Sequence, residues 1–190
     1  MKLLIASDIH GSAKHAELLA QAFEREKADK LVLLGDCLYH GPRNSLPDDY
    51  DTRRTMEILN SMKDKIICVR GNCDSEVDQM VLEFPMMNKY ECIDADGFRF
   101  FASHGHGYSP MLPPPFVEFD VMLCGHTHVY KLEDRGDFYH VNPGSTSIPK
   151  KGTQNSYVTF ENACFVLHRL SDGSEIDRMY IEKRNAGAVE

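Results

Sequence analysis

Leu3-Leu4-Ile5-Ala6-Ser7-Asp8-Ile9-His10-Gly11 sets an apolar run against a carboxylate, an imidazole and a glycine within nine residues. The design returns four times. Leu31–Leu34 runs into Gly35-Asp36, and Ile66–Val69 leads to Gly71-Asn72-Cys73-Asp74. Phe98–Ser103 ends in His104-Gly105-His106-Gly107, and Val121–Cys124 ends in Gly125-His126-Thr127-His128. Short apolar runs bounded by glycine read as buried strands. Polar clusters at strand carboxyl ends are where α/β proteins build sites. If the five strands lie side by side, their tips converge.

Between these runs the pattern changes period. Ala16, Leu19, Ala20 and Phe23 fall at helical spacing behind Ser12, a fitting N-cap, and Met56, Leu59 and Met62 suggest a second helix. Cys37 to Asp51 holds Gly41, Pro42 and Pro47 and reads as a long loop. From residue 89 onward, strands follow one another: a hairpin about Ala95-Asp96-Gly97, a second pair flanking a turn before Phe138, then Tyr157–Phe160, Cys164–Leu170 and Ile176–Ile181. The predicted class is α/β: two facing mixed β-sheets, a β-sandwich, flanked by helices. Residues 1–183 are expected to form one domain and 184–190 a frayed C-terminal tail.

Composition narrows the partners. Twenty-one Lys and Arg against 29 Asp and Glu give a net charge of -8 over 190 residues, which argues against bulk nucleic-acid binding. No apolar run approaches the ~20 residues of a membrane helix. The first apolar run is too short for a signal-peptide core. The six cysteines form no Cys-x-x-Cys pair, so a thiolate zinc site has no support and a reduced, cytoplasmic setting is expected.

Asp8, His10, Asp36, Asn72, His104, His126 and His128 offer carboxylate, imidazole and amide donors, which suit Mn, Zn, Fe or Mg. One ion rarely uses seven such ligands. Two ions sharing one carboxylate use them all. Asp8 and His10, like His126 and His128, stand two apart, which in extended backbone puts both side chains on one face. Any one fragment alone is a cap, a turn or a core histidine; five in one chain, each at a strand end, are not.

The ordered set Asp8-Ile9-His10, Gly35-Asp36, Gly71-Asn72-x-Asp74, His104-Gly105-His106 and Gly125-His126-Thr127-His128 resembles the calcineurin-like metallophosphoesterase superfamily. Length, Cys73 and the segment Asn142-Pro143-Gly144-Ser145 resemble its YfcE-like branch of compact bacterial and archaeal phosphodiesterases. The resemblance implies that one metal takes Asp8, His10 and His128, that the other takes Asn72, His104 and His126, and that Asp36 bridges them. It implies a hydroxide held between two divalent ions, manganese expected and Mg, Zn, Fe or Ni compatible, attacking a small phosphate ester. Asn72, Cys73, His104 and His106 are then the catalytic candidates.

Many relatives have His where this chain has Cys73. A thiol is a weaker proton donor, so esters with good leaving groups are the expected substrates, with His106 and His40 as substitute acids. Arg43, in the long loop, is a candidate for contact with substrate phosphate. His140 reads as structural. The Phe84–Met87 and Met111–Phe116 segments read as apolar loops at the site mouth or in a homo-oligomer contact. Alternatives are a phosphomonoesterase or nucleotidase on the same site, and a non-catalytic scaffold resembling the retromer subunit of vesicle sorting.

Overall fold

The computed structural model describes residues 1–184. Strand and helix alternate at first: β1 (Leu3–Ala6), α1 (Ala13–Glu26), β2 (Lys30–Leu33), α2 (Thr52–Ser61), β3 (Ile66–Cys68) and the short α3 (Glu76–Val81). Strands follow: β4 (Tyr90–Ala95), β5 (Phe98–Ser103), β6 (Val121–Leu123), β7 (Lys131–Asp134), β8 (Tyr139–Asn142), β9 (Ser156–Glu161), β10 (Cys164–Arg169) and β11 (Glu175–Tyr180). Of the expected tail, 185–190 lies outside the described residues.

Caps and periodicity set the helices. Ser12 Oγ accepts from the His15 N–H at 3.5 Å, and α1 leaves through Lys27 in left-handed backbone, φ 51°. Asp51 caps α2 by accepting from the Arg54 N–H at 3.0 Å. Sequence periodicity gave no sign of α3, because α3 buries nothing; a capping box between Ser75 and Asp78 starts it instead.

The strands form two mixed sheets, in order β11-β10-β9-β1-β2-β3 and β4-β5-β6-β8-β7. Strands β1, β2 and β3 run parallel, as do β5, β6 and β8; the remaining pairings are antiparallel. Alternation in β1 shows the layering. Leu3 and Ile5 enter the core between the sheets with Phe100, Val121, Leu123 and Phe160, whereas Leu4 and Ala6 pack with Leu19 of α1 and Leu59 of α2. Full burial of a side chain such as Phe100 contributes about 1.5–3 kcal/mol.

Helices α1 and α2 thus cover the six-stranded sheet. The outer face of the other sheet carries Phe101, Met122, Cys124 and Phe138, with Tyr108, Val117 and Phe119 packed on them from the long loop after β5. Phe84 and Met86 do not line a mouth, as expected of their loop; both are buried in the core beneath the helices. Met111, Leu112 and Phe116 do stand exposed. No helix among the described residues is long and apolar enough to cross a membrane.

Candidate metal centre

The five motif-bearing strands are not neighbours in one sheet. Three belong to the first sheet and two to the second, and their carboxyl ends meet across the sandwich. Backbone hydrogen bonds join the loops that follow. The Asp8 N–H donates to Gly35 O at 3.1 Å, and the His10 N–H to Asp36 O at 2.9 Å. Across the sheets, the His126 N–H donates to Asp8 Oδ2 at 3.0 Å. Gly125 and Gly71 permit this approach: a Cβ on the first would collide with Ser7 Oγ, and one on the second with the Asp36 carboxylate.

The backbone at the donors is not extended, contrary to the expectation from the two-residue spacing. Asp8 (φ 57°), His10 (φ 51°), Asp36 (φ 56°), His126 (φ 67°) and His128 (φ 59°) are all left-handed. Non-glycine residues rarely hold this conformation, and such strain clusters at functional sites. Turning the chain at these five donors, rather than alternating along a strand, brings the side chains together.

The first group is closed. Asp8, His10 and His128 are buried and their donor atoms form a cluster that can hold a cation. His10 Nδ1–H donates to Tyr39 O at 2.7 Å and His128 Nδ1–H to Ile148 O at 2.8 Å. A carbonyl only accepts, so these bonds place the protons on Nδ1 and leave lone pairs on Nε2. The two Nε2 atoms face each other at 3.3 Å. Asp8 Oδ1 lies 3.3 Å from the His128 Nε2 and is buried with no hydrogen-bond partner. Facing lone pairs beside an orphaned carboxylate oxygen repel unless a cation, or a proton, lies among them. Burial drives the Asp8 pKa up, but contacts to His10 and His128 outweigh it and hold the carboxyl well below its usual range. Burial likewise lowers His10, and Asp8 overrides it to raise the imidazole above its ordinary value.

The second group is open. His104 is buried, His126 is half-buried and Asn72 is exposed. His104 Nδ1–H donates to Leu34 O at 2.6 Å, which again bares Nε2. That atom faces Asn72 Oδ1 at 3.0 Å and His126 Nδ1 at 3.2 Å. Asp36 Oδ2 lies between the groups, 3.6 Å from His10 Nε2 and 3.5 Å from His104 Nε2. Its other oxygen accepts the Cys73 N–H at 2.8 Å. All seven expected donors therefore form one contiguous set, and its chemistry fits a pair of divalent cations sharing Asp36.

The other expected residues divide. The Cys73 thiol sits within reach of His10 and Asp36, and burial followed by the Asp36 charge pushes it up to about 12. His106 is exposed, its ring 5.3 Å from that of His104; burial and the neighbouring His104 lower its pKa. His40 packs its ring on Tyr39 and Tyr50 instead. His140 lies on β8 beside Glu133 at 3.6 Å, apart from the donor set.

Two supports carried no role in the sequence reading. Asp74 accepts N–H groups from Asp36 at 2.8 Å, Cys37 at 2.9 Å and Gly71 at 2.7 Å, which ties the loops after β2 and β3. Ser145 and Ser147 hydroxyls donate to Asp8 O at 2.8 and 3.2 Å. The fixed Asp in Gly71-Asn72-x-Asp74 was the available signal for the first; the Asn142–Ser145 segment was the signal for the second.

Two clefts flank the donors. One, of about 340 Å³, is lined by Asp36, Cys73, His126, His128, Arg43 and Lys150 among others. The second, of about 390 Å³, is lined by His104, His106, Arg70, Lys89 and Tyr108 among others. Asn72 borders both.

The chain is similar to several known proteins. Phosphodiesterase YfcE of Escherichia coli K12 is 45% identical over 181 residues, covering 95% of this chain and 98% of that protein. The structure of the E. coli phosphoesterase YfcE superposes with a TM-score of 0.92 at 44% identity, over 96% of this chain and 100% of that one. Zinc-bound Vps29 of Entamoeba histolytica shares the fold, with a TM-score of 0.64 at 20% identity over 95% and 99% of the chains. Residues 1–163 match the Calcineurin-like phosphoesterase superfamily domain, and the chain belongs to that superfamily.

Proposed function

We propose that this chain is a metal-dependent phosphodiesterase built as one domain, residues 1–183, and working in the cytoplasm on small phosphate diesters. The six cysteines are free, as a reducing compartment requires. Asp8, His10 and His128 would hold one divalent ion and Asn72, His104 and His126 the other, with Asp36 available to both; manganese is the expected metal. Such a pair supplies Lewis acidity and a water acidified toward neutral pKa for in-line attack on phosphorus.

The chain's own residues fix that arrangement. Carbonyls of Tyr39, Ile148 and Leu34 lock three imidazoles with Nε2 bare. The Cys73 N–H holds one Asp36 oxygen and leaves the other free toward both groups. Protonation of the leaving oxygen is weakly provided for. Cys73 is a poor acid with its pKa raised, and His106, lowered, is largely neutral at pH 7. Substrates whose leaving oxygen departs without a proton are therefore favoured.

The diester reading rests on one observation: the donor set lies between two clefts that meet at Asn72. A diester carries a substituent on each side of phosphorus and needs room for both. The test is hydrolysis of bis-p-nitrophenyl phosphate and p-nitrophenyl phosphate by metal-stripped protein with Mn, Mg, Zn or Ni restored. The diester is expected to react faster, and Asp36→Asn to lose at least on the order of 10²–10³-fold, the scale for removing a single preorganised hydrogen-bond donor. Preference for the monoester would turn the reading to a phosphatase or nucleotidase. Two bound ions with no hydrolysis would leave the scaffold reading.

A further inference from the structure

This inference rests on the diesterase reading and concerns what the substrate carries. The chain is acidic overall, at -8, and its cations are mostly spent on carboxylates. Arg43 and Lys150 are not: among the described residues neither forms an ion pair within 4.0 Å. They come from different segments, Arg43 from the loop after β2 and Lys150 from the loop after β8, and they line the same cleft. That cleft's wall is made by Asp36, Asn72, His126 and His128.

Simple charge balance does not explain the pair. Asp8 and Asp36 are buried and face the histidines, and neither Arg43 nor Lys150 reaches them. The positions are also anchored. The Asn44 Nδ2–H group donates to His40 O at 2.9 Å across the turn that carries Arg43. The Lys150 N–H donates to His128 O at 3.0 Å, which ties this cation to a donor of the closed group. The opposite cleft differs. Of its two cations, Lys89 has no ion pair among the described residues, but Arg70 is already engaged, Nε donating to Asp74 O at 3.3 Å and Nη1 lying 3.6 Å from Glu76, so no free pair remains there.

Two uncommitted cations lining one cleft beside the donor set form a receptor for an anion, the arginine as a fork and the lysine as a point charge. The scissile phosphate is the business of the donor set. We propose that Arg43 and Lys150 bind a second phosphate, carried on one substituent of the diester, so that the preferred substrates are small phosphodiesters with a terminal phosphate, of the kind a phosphorylated nucleoside presents. The cleft, at about 340 Å³, falls within the ~300–1,000 Å³ range of small-molecule sites.

The test compares two chromogenic diesters, thymidine 5′-(4-nitrophenyl phosphate) and the same compound bearing a 3′-phosphate, with bis-p-nitrophenyl phosphate as reference. In the metal-loaded protein the 3′-phosphate is expected to raise kcat/KM about tenfold, chiefly by lowering KM, one charge-assisted contact being worth about that factor. Arg43→Gln and Lys150→Gln should each collapse the ratio between the two thymidine substrates, while Lys65→Gln, an unpaired cation outside the cleft, should preserve it. Equal kcat/KM for both substrates, with bis-p-nitrophenyl phosphate hydrolysed, overturns the subsite and leaves the diesterase. An unchanged ratio in both cleft variants overturns it also. No hydrolysis of any of the three overturns the diesterase reading and the subsite with it. Preference for a longer oligonucleotide over the phosphorylated thymidine would overturn the small-substrate assignment.

Discussion

The two halves of the donor set use the same chemistry in opposite surroundings. Asp8, His10 and His128 bring a carboxylate and two imidazoles into a buried cluster, of which His128 borders one cleft, while Asn72, His104 and His126 bring a neutral amide and two imidazoles to the edges of the two clefts. Charge and desolvation together favour tight cation binding in the closed group. The open group has no private carboxylate, so it would hold a cation more weakly, at the edge of the clefts. The difference points to a division of labour: the closed group would keep a resident ion that shapes the site, and the open group would offer Lewis acidity where the clefts meet.

The largest expected effect separates the two directly. After dialysis against buffer without metal, His126→Ala should retain close to one tightly held ion per chain. His128→Ala should lose most of that ion, because it removes one of the closed group's donors. The affinity loss in the closed group should exceed ~100-fold, the upper range for disturbing only a ligand's support. Elemental analysis with calorimetric titration reads both. Equal retention in the two variants would break the comparison.

A smaller effect sharpens it. Asp74 accepts three backbone N–H groups beneath Asp36 and Gly71, so it supports the shared carboxylate rather than either half alone. In Asp74→Asn an amide group faces a donor that has lost its acceptor. That costs about 1–3 kcal/mol of stability and ~10–100-fold in metal affinity. Both ions should weaken by similar factors in calorimetric titration, and thermal unfolding should fall in step. Weakening of one ion alone would show that Asp74 serves one half rather than the shared carboxylate.

Much of this was legible in the sequence because donors follow strands. The apolar runs before Asp8, Asp36 and His126 marked strand ends, and the donor types announced a cation. What escaped was backbone. The partners that orient His10, His104 and His128 are the carbonyls of Tyr39, Leu34 and Ile148, which any side chain would supply, so no residue type betrays them. The left-handed turns at Asp8 and His128 were hidden because spacing alone cannot tell an extended pair from a turned one. The loop after β5 reads as an apolar segment at a site mouth or subunit contact, and only the packing of Tyr108, Val117 and Phe119 on Phe101 and Met122 shows that it covers the second sheet.

The smallest expected effect is a pH dependence that differs between the halves. A histidine must lose its proton to take a metal, so protons and cations compete. In the metal-free protein burial lowers His10, but Asp8 outweighs it and its pKa lies above 6.5. Burial, followed by the charge of His104, puts that of His126 below 6.5. As pH falls from 8 toward 6, His10 therefore gains its proton first. The closed group should lose apparent affinity by up to about tenfold per pH unit below the His10 pKa, one displaced proton each, more steeply than proton competition at His126 weakens the open group. The tighter half in neutral solution is thus the more acid-sensitive one, and the gap between the two dissociation constants should narrow on acidification. Competition titrations with a chromogenic chelator at pH 8, 7 and 6 measure the gap. A constant gap would mean that Asp8 favours proton and metal on His10 no more than the open group favours them on His126, and the closed half would then owe its grip to burial rather than to its carboxylate.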